Sequence, residues 1–383
     1  MTNGEKALAL HEEWKGKLEV SSKSKVSSRE DLSLAYTPGV AEPCKEIAKN
    51  PEDAYKYTIK SNTVAVISDG SAVLGLGNIG PLAAMPVMEG KAVLFKEFGG
   101  VNAFPICLDT QDTEEIIKTI VNIAPAFGGI NLEDISAPRC FEIEERLKKL
   151  LPIPVFHDDQ HGTAIVVLAG IINALKVTGK KKEACKVVIN GAGSAGIAIS
   201  KLLLSYGFVN VILCDKDGVL SRDMANLNWM QSKMLACTNP NNETGKLSDT
   251  LKGADIFVGV SAPNIVSGEM VASMNKDSIL FAMANPIPEI MPDVAKEYGA
   301  RIIGTGRSDF PNQINNVVAF PGIFKGALEG RASQITEDMK LAAANALADL
   351  IPDDELSDDN IIAEAFDPRV AQVVSDAIKA HIR

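Results

Sequence analysis

Short apolar runs alternate with amphipathic stretches along the chain. The strand-like runs of the first half are TVAVIS (63–68), KAVLF (91–95), AFPICL (103–108), GINLEDI (129–135) and IPVF (153–156). Helix-like stretches, TEEIIKTIVNIAPAF (113–127) and FEIEERLKKLL (141–151), fall between them. Continuous apolar strands separated by helices predict a parallel sheet covered on both faces. A long helix then runs from about 163 to 177 and closes at Gly179. The alternation restarts with KVVIN (186–190), NVILCD (210–215), ADIFVGVS (254–261), SILFAMAN (278–285) and ARIIGTG (300–306). That restart predicts a second α/β unit and places a boundary near residue 158, giving domains 1–157 and 158–383. From about Val317 the chain reads as helical, and a helix this late often packs back on an earlier domain.

Composition narrows the classes. The chain has 383 residues, 46% of them apolar and 23% charged, which excludes disorder and fibrous architecture. Lys+Arg 38 against Asp+Glu 49 gives a net charge of −11, with no basic block to neutralise phosphates. Nucleic acid is therefore a poor partner, and Lys180–Lys182 reads as a solvated turn. Six scattered cysteines without a CxxC pair suit reduced, mostly buried thiols. The first residues lack the apolar stretch and cleavage site of a signal peptide, and the apolar run 163–175 reads as too short to span a bilayer. These points predict a soluble, cytoplasmic protein with no membrane partner.

The strand KVVIN runs into Gly191-Ala192-Gly193-Ser194-Ala195-Gly196 and then a helix, which is GxGxxG in its strand–turn–helix context. The first Gly permits the turn, the second lets backbone approach a pyrophosphate, and the third lets helix and strand pack closely. The helix N-terminus then holds the anion. Asp215 ends the next strand, nineteen residues after Gly196, where a carboxylate accepts from ribose hydroxyls and repels a 2′-phosphate. This predicts NAD, with NADP as the alternative because Lys216 is adjacent. A second match, Gly75-Leu76-Gly77-Asn78-Ile79-Gly80, lacks that context and reads as loop packing or backbone near a substrate.

Glu133 and Asp134 end GINLEDI, and Asp158 and Asp159 follow IPVF. Parallel strands project their ends to one rim, so the four carboxylates converge there. Such a group repels itself unless a proton or a cation compensates it, and all-oxygen ligation suits Mg²⁺ or Mn²⁺. Spacing alone leaves two readings open: a metal site, or four helix-capping residues. His157 and His161 have no zinc-type spacing and read as surface or supporting groups.

At this point several blocks together resemble the malic enzyme family. They are Leu34–Val40, Gly75–Gly80, Met88-Glu89-Gly90-Lys91, Asn131–Asp134, Phe156–Thr163, Ala284-Asn285-Pro286 and Asn315-Asn316. The resemblance covers about Leu32 to Phe324. It implies an α/β fold: an N-terminal malic-type domain followed by a Rossmann-like, doubly wound parallel-sheet NAD(P)-binding domain. It also implies a homodimer or larger oligomer and L-malate as substrate. By resemblance, Lys91 is the base for the malate hydroxyl and Tyr36 the acid that protonates the enol. Glu133, Asp134 and Asp159 are the metal ligands, and Asp158 tunes Lys91. Asn285 and Asn316 contact substrate, with Asn315 the less secure neighbour, and Asn285 also faces the cofactor. Larger family members carry an Arg where this chain has Ala72, so malate's carboxylate needs another partner.

Oxidising a secondary alcohol needs a base, a hydride acceptor and stabilisation of the emerging oxygen. Burial and a nearby cation would both lower Lys91 from its ordinary value of about 10.4, while the metal would polarise the C2 oxygen and stabilise the enolate left by CO₂. The expected activity is oxidative decarboxylation of L-malate to pyruvate. The alternatives are a malolactic enzyme releasing lactate, and an NAD-binding regulatory protein without catalysis.

Overall fold

The computed structural model describes residues 2–382. The chain opens with four short helices, α1 (Asn3–Trp14), α2 (Arg29–Ala35), α3 (Ala41–Lys49) and α4 (Ala54–Tyr57), none of which buries a residue. A four-stranded parallel sheet follows, in the order β2-β1-β3-β4. Its strands are β1 (Thr63–Ser68), β2 (Asn102–Cys107), β3 (Gly129–Leu132) and β4 (Val155–His157). Helices α5 (Pro81–Gly99), α6 (Thr113–Ile123) and α7 (Arg139–Leu150) make the crossovers.

KAVLF is not a strand. It lies inside α5, whose buried positions Ala84, Met88, Lys91, Ala92, Phe95 and Gly99 recur at helical spacing. A short apolar run cannot by itself distinguish the two states. The run after Gly90 also continues a stretch rich in Ala, Leu, Met and Glu, which are strong helix formers.

The connecting helix α8 (Asp158–Thr178) starts where β4 stops, five residues earlier than the sequence pattern suggests. All residues from 164 to 175 are buried, as expected of a helix apolar on every side. At 21 residues it is longer than the run read from sequence and apolar enough to cross a bilayer by length and composition. Here it is sheathed by α9 (Ser194–Tyr206) and α15 (Glu337–Ala348).

The second sheet has the order β10-β9-β8-β5-β6-β7. Strands β5 (Lys186–Asn190), β6 (Asn210–Asp215), β8 (Ile256–Gly259), β9 (Ile279–Ala282) and β10 (Ile302–Thr305) are parallel, and the two-residue β7 (Gly218–Val219) is antiparallel at the edge. The order reverses beside β5, which is the topological switch point where ligands bind in such sheets. Short helices α10 (Trp229–Met234), α11 (Leu247–Thr250), α12 (Gly268–Ala272) and α13 (Pro292–Glu297) cover it.

The tail forms α14 (Phe320–Glu329), α15 and α16 (Val370–Ala380). It returns to the first sheet: Phe320 and Phe324 pack edge-on against Phe95, with centroids at 4.7 and 5.3 Å, and Phe324 also meets Phe156. All six cysteines are free thiols. Cys140, Cys185 and Cys214 are buried, whereas Cys44 and Cys237 are exposed. Lys180 and Lys182 are more engaged than a solvated turn, the first pairing with Asp255 at 2.8 Å and the second with the Tyr206 carbonyl at 2.5 Å.

Candidate functional site

The ends of β3 and β4 lie side by side, with Leu132 paired to His157. The residues immediately beyond them therefore meet: Glu133 and Asp134 from one strand, Asp158 and Asp159 from the other. One carboxylate oxygen each from Glu133, Asp134 and Asp159 lies within 4.8 Å of the others. Asp134 holds a left-handed backbone, φ 54°, and its N–H donates to Asp159 Oδ2 at 2.8 Å. Such a conformation costs energy in a non-glycine residue and persists only when its surroundings impose it.

Lys91 enters from α5. Its Nζ lies 2.6 Å from Asp158 Oδ2 and 2.9 Å from Glu133 Oε1, over the Phe320 ring at 4.2 Å. Lys91, Glu133 and Asp158 are all buried, the last completely. Asn131 Nδ2 donates to the other Glu133 oxygen at 2.8 Å. Two buried carboxylates thus contact one ammonium, with Asp134 and the partly exposed Asp159 beside them.

The charges reshape one another. Burial draws Lys91 down, but Asp158, Glu133 and Asp159 outweigh it and hold the amine protonated, above its ordinary range. Burial pushes Asp158 up to about 7 against the pull of Lys91, and burial likewise raises Glu133.

Neither capping alternative survives. α8 has His157 at its N-cap position with no side-chain cap, and Asp158 and Asp159 already lie in the helix. α7 starts behind Pro138, again without a side-chain cap. The three clustered carboxylates fit a hard divalent cation instead, because they are all-oxygen donors, close together and in excess over the positive charge nearby.

Gly162, one turn into α8, makes room for this arrangement. A Cβ there would lie 1.9 Å from Asp158 Oδ1 and 3.2 Å from the Asn316 Cβ. Asn316 therefore sits against the cluster. Asp158 Oδ1 and both ring nitrogens of the fully buried His157 have no hydrogen-bond partner among the described residues. His157 Nδ1 is 3.7 Å from Asp159 Oδ2.

The glycine turn lies at the C-terminal end of β5. Gly191 has φ +120°, and a Cβ there would strike the Val260 carbonyl at 2.5 Å. A Cβ on Gly196 would lie 1.8 Å from the Gly191 oxygen, whereas Gly193 faces open space. Ser194 and Ala195 begin α9, so its free N–H groups face the turn. Asp215 ends β6 and accepts from the Asp217 N–H at 2.8 Å. The turn, Asp215, Lys216, Gln231 and Lys246 line a cleft of about 770 Å³.

Residues 15–148 match the family described as malic enzyme, N-terminal domain, and residues 160–379 match malic enzyme, NAD binding domain. The chain belongs to the malic enzyme family. It is 61% identical over 363 residues to the NAD-dependent malic enzyme of Geobacillus stearothermophilus, covering 95% of this chain and 76% of the relative. It is 57% identical to the bifunctional malic/malolactic enzyme of Bacillus subtilis (strain 168), covering 99% and 92%. The crystal structure of the NAD-dependent malic enzyme from Thermotoga maritima superposes with a TM-score of 0.94 at 51% identity, covering 97% of this chain and 98% of that one.

Against the site residues that malic enzyme resemblance suggests, the structure gathers some and not others. Lys91, Glu133, Asp134, Asp158, Asp159 and Asn316 come together. Asn315 caps a short turn, its side chain accepting from the Val317 N–H at 3.0 Å. Asn285 lies in the exposed loop after β9, with its carbonyl 2.6 Å from where a Cβ on Gly75 would be. The second glycine-rich loop thus packs closely beside that residue. Tyr36 does not join the cluster: it ends α2, is 67% exposed, and its hydroxyl has no hydrogen-bond partner among the described residues.

Ala72 donates its N–H to the Asp134 carbonyl at 3.0 Å. The nearby guanidinium of Arg139 is already engaged by Asp69 at 2.8 Å, with Ser71 and Ser136 beside it. Arg307 donates to the Pro286 carbonyl at 3.1 Å, next to Asn285, and pairs with Asp309. Sequence reasoning also missed Glu289, whose carboxylate accepts from the Ser261 and Ala284 N–H groups, both at 3.0 Å, and braces the loops after β8 and β9. Its only signal in sequence is an acid inside an apolar stretch.

Proposed function

We propose that this chain catalyses metal-dependent oxidative decarboxylation of L-malate to pyruvate and CO₂, with hydride transfer to NAD. The observation that carries this reading is Lys91 bridging Asp158 and Glu133 at the edge of the carboxylate trio. Glu133, Asp134 and Asp159 would hold Mg²⁺ or Mn²⁺. When bound, that cation compensates the buried carboxylates and polarises the C2 oxygen. Lys91 would first pass its ammonium proton to Asp158, once the surrounding negative charge is compensated, and as the neutral amine would then accept the hydroxyl proton as hydride leaves C2 for NAD. Asp158 orients the amine and shares its proton. Asn285 and Asn316, with Asn315 behind the turn, orient malate; Tyr36, which lies outside the cluster within one chain, protonates C3 of the enol only where a second copy carries it to the site. Gly191, Gly193, Ser194, Ala195 and Gly196 receive the pyrophosphate and Asp215 the ribose. A homodimer belongs to this reading, because α1–α4 bury none of their residues and expose Leu8, Leu34 and Tyr36.

A second reading, release of lactate without net NADH, is favoured by the likeness to the bifunctional malic/malolactic enzyme. Purified protein, L-malate and Mn²⁺, with NAD and NADP in parallel, separates the two. Pyruvate with stoichiometric NADH supports the first, and lactate with a flat absorbance trace supports the second. A lack of metal-dependent turnover in any arm removes both and leaves nucleotide binding alone.

Cofactor choice gives a prediction of its own. Asp215→Ser is expected to raise kcat/KM with NADP relative to NAD by about tenfold or more, since a carboxylate beside a 2′-phosphate is repulsive. Wild-type protein that already prefers NADP would overturn the role given to Asp215.

A further inference from the structure

Beside the acidic cluster lies another buried ionic group that the proposed chemistry does not use. Glu144 of α7 is 4% exposed. Its carboxylate accepts from His161 Nε2 at 2.8 Å, from the His157 backbone N–H at 3.3 Å and from Gln160 Nε2 at 3.4 Å, and pairs with Lys148 at 2.7 Å. On the other side of the His161 ring, Lys340 Nζ donates to Nδ1 at 3.0 Å. Lys340 is 3% exposed, belongs to α15 and also pairs with Glu337 at 2.6 Å.

These contacts define one tautomer. An ammonium donating to His161 Nδ1 requires a neutral ring, because a protonated ring has no lone pair there to accept it. Its Nε2–H donates to Glu144 and its Nδ1 accepts from Lys340. Burial pushes Glu144 up, but His161, Lys148 and Lys340 outweigh it and hold the carboxyl well below its usual range. The charge is therefore fixed at the N-terminus of α8, where negative charge is favoured.

Position decides what the group does. The groups that Glu144 binds on the β4–α8 junction are His157, Gln160 and His161, and they enclose Asp158 and Asp159 in sequence. A buried ion network is a weak source of stability, since well-packed apolar residues often serve as well. It does impose geometry, and an error near 1 Å at reacting groups can cost about 10²-fold in rate. We infer that Glu144, with His161 and Lys340, is a positioning device that fixes the first turn of α8, aims Asp158 at Lys91 and Asp159 at the cation, and ties both to the C-terminal helix α15. The inference rests on the proposed metal and base roles.

The test uses the full chain and the variants Glu144→Gln, His161→Gln and Lys340→Met. Mn²⁺ affinity is read by electron paramagnetic resonance of the free ion, alongside kcat, KM for NAD and the melting temperature. E144Q is expected to weaken Mn²⁺ binding by about 10- to 100-fold, the range for lost supporting groups around metal ligands, with KM for NAD unchanged. K340M should move both readouts in the same direction by less. H161Q, which keeps a donor toward Glu144, should retain more Mn²⁺ affinity than E144Q. A lower melting temperature with wild-type Mn²⁺ affinity and kcat in E144Q would overturn the inference. If E144Q does not fold, unchanged Mn²⁺ affinity in both K340M and H161Q overturns it. Wild-type protein that takes up no Mn²⁺ overturns the proposed function itself, whereas wild-type uptake with an unaltered E144Q overturns only this inference.

Discussion

Lys91→Ala is expected to lower kcat by about three orders of magnitude, inside the span of about 10²–10⁴ for loss of a general acid–base group, while NAD binding persists. The reason is the double contact of Nζ with Asp158 and Glu133, at 2.6 and 2.9 Å. A second readout separates a base from a structural counter-ion. The ammonium repels a cation at the neighbouring carboxylates, so its removal should leave Mn²⁺ affinity equal to or greater than that of the wild type. It also leaves Asp158 and Glu133 facing each other without compensation, which destabilises by about 3–5 kcal/mol when one partner of a buried pair is lost. Added Mn²⁺ should therefore raise the melting temperature of K91A more than that of the wild type. Near-wild-type turnover in K91A would remove Lys91 from the chemistry. Reduced turnover with lost Mn²⁺ binding would make Lys91 a structural element of the cluster instead.

How far the sequence reached depends on how local each signal is. The nucleotide turn was legible because strand, glycines and helix occupy one continuous stretch, and the same residues make the close approaches at Gly191 and Gly196. The convergence of Glu133 and Asp134 with Asp158 and Asp159 was legible because consecutive parallel strands end on one rim. KAVLF misled because five apolar residues fit either period, and only the burial of Met88 and Phe95 around it makes the helix plain. The pull of Asp158 and Glu133 on Lys91 was not legible, since their distances exist only in the fold, whereas the lowering expected from burial and a bound cation together concerns the loaded site. Glu144 carries no local pattern at all. Its partners come from its own helix and from the β4–α8 junction, and α15 near the end of the chain reaches it only through His161, so its sequence neighbourhood reads as that of a surface acid on an amphipathic helix. Tyr36 marks a different limit, where a family block is recognisable but its own chain leaves the side chain exposed.

Gly162→Ala is expected to abolish most activity while leaving the fold intact, which is the opposite of the usual effect. In an exposed helix interior, Gly to Ala stabilises by about 1 kcal/mol. Here the added methyl would lie 1.9 Å from Asp158 Oδ1 and 3.2 Å from the Asn316 side chain. Contact at that distance is forbidden, and α8 cannot retreat because all residues from 164 to 175 are packed in the interior. The Asp158 side chain is short, so relief requires rotating its carboxylate away from Lys91 or pushing Asn316 out. Either movement separates groups that the proposed mechanism needs together, and a displacement near 1 Å can cost about 10²-fold in kcat. Overpacking of about 1–3 kcal/mol is partly offset by the helix propensity gained, so the melting temperature should change by only a few degrees. NAD affinity should not change, because the glycine turn at Gly191–Gly196 lies on another strand. Wild-type kcat in a well-folded G162A would show that Asp158 can move without consequence, and would remove it from the proton-holding role beside Lys91.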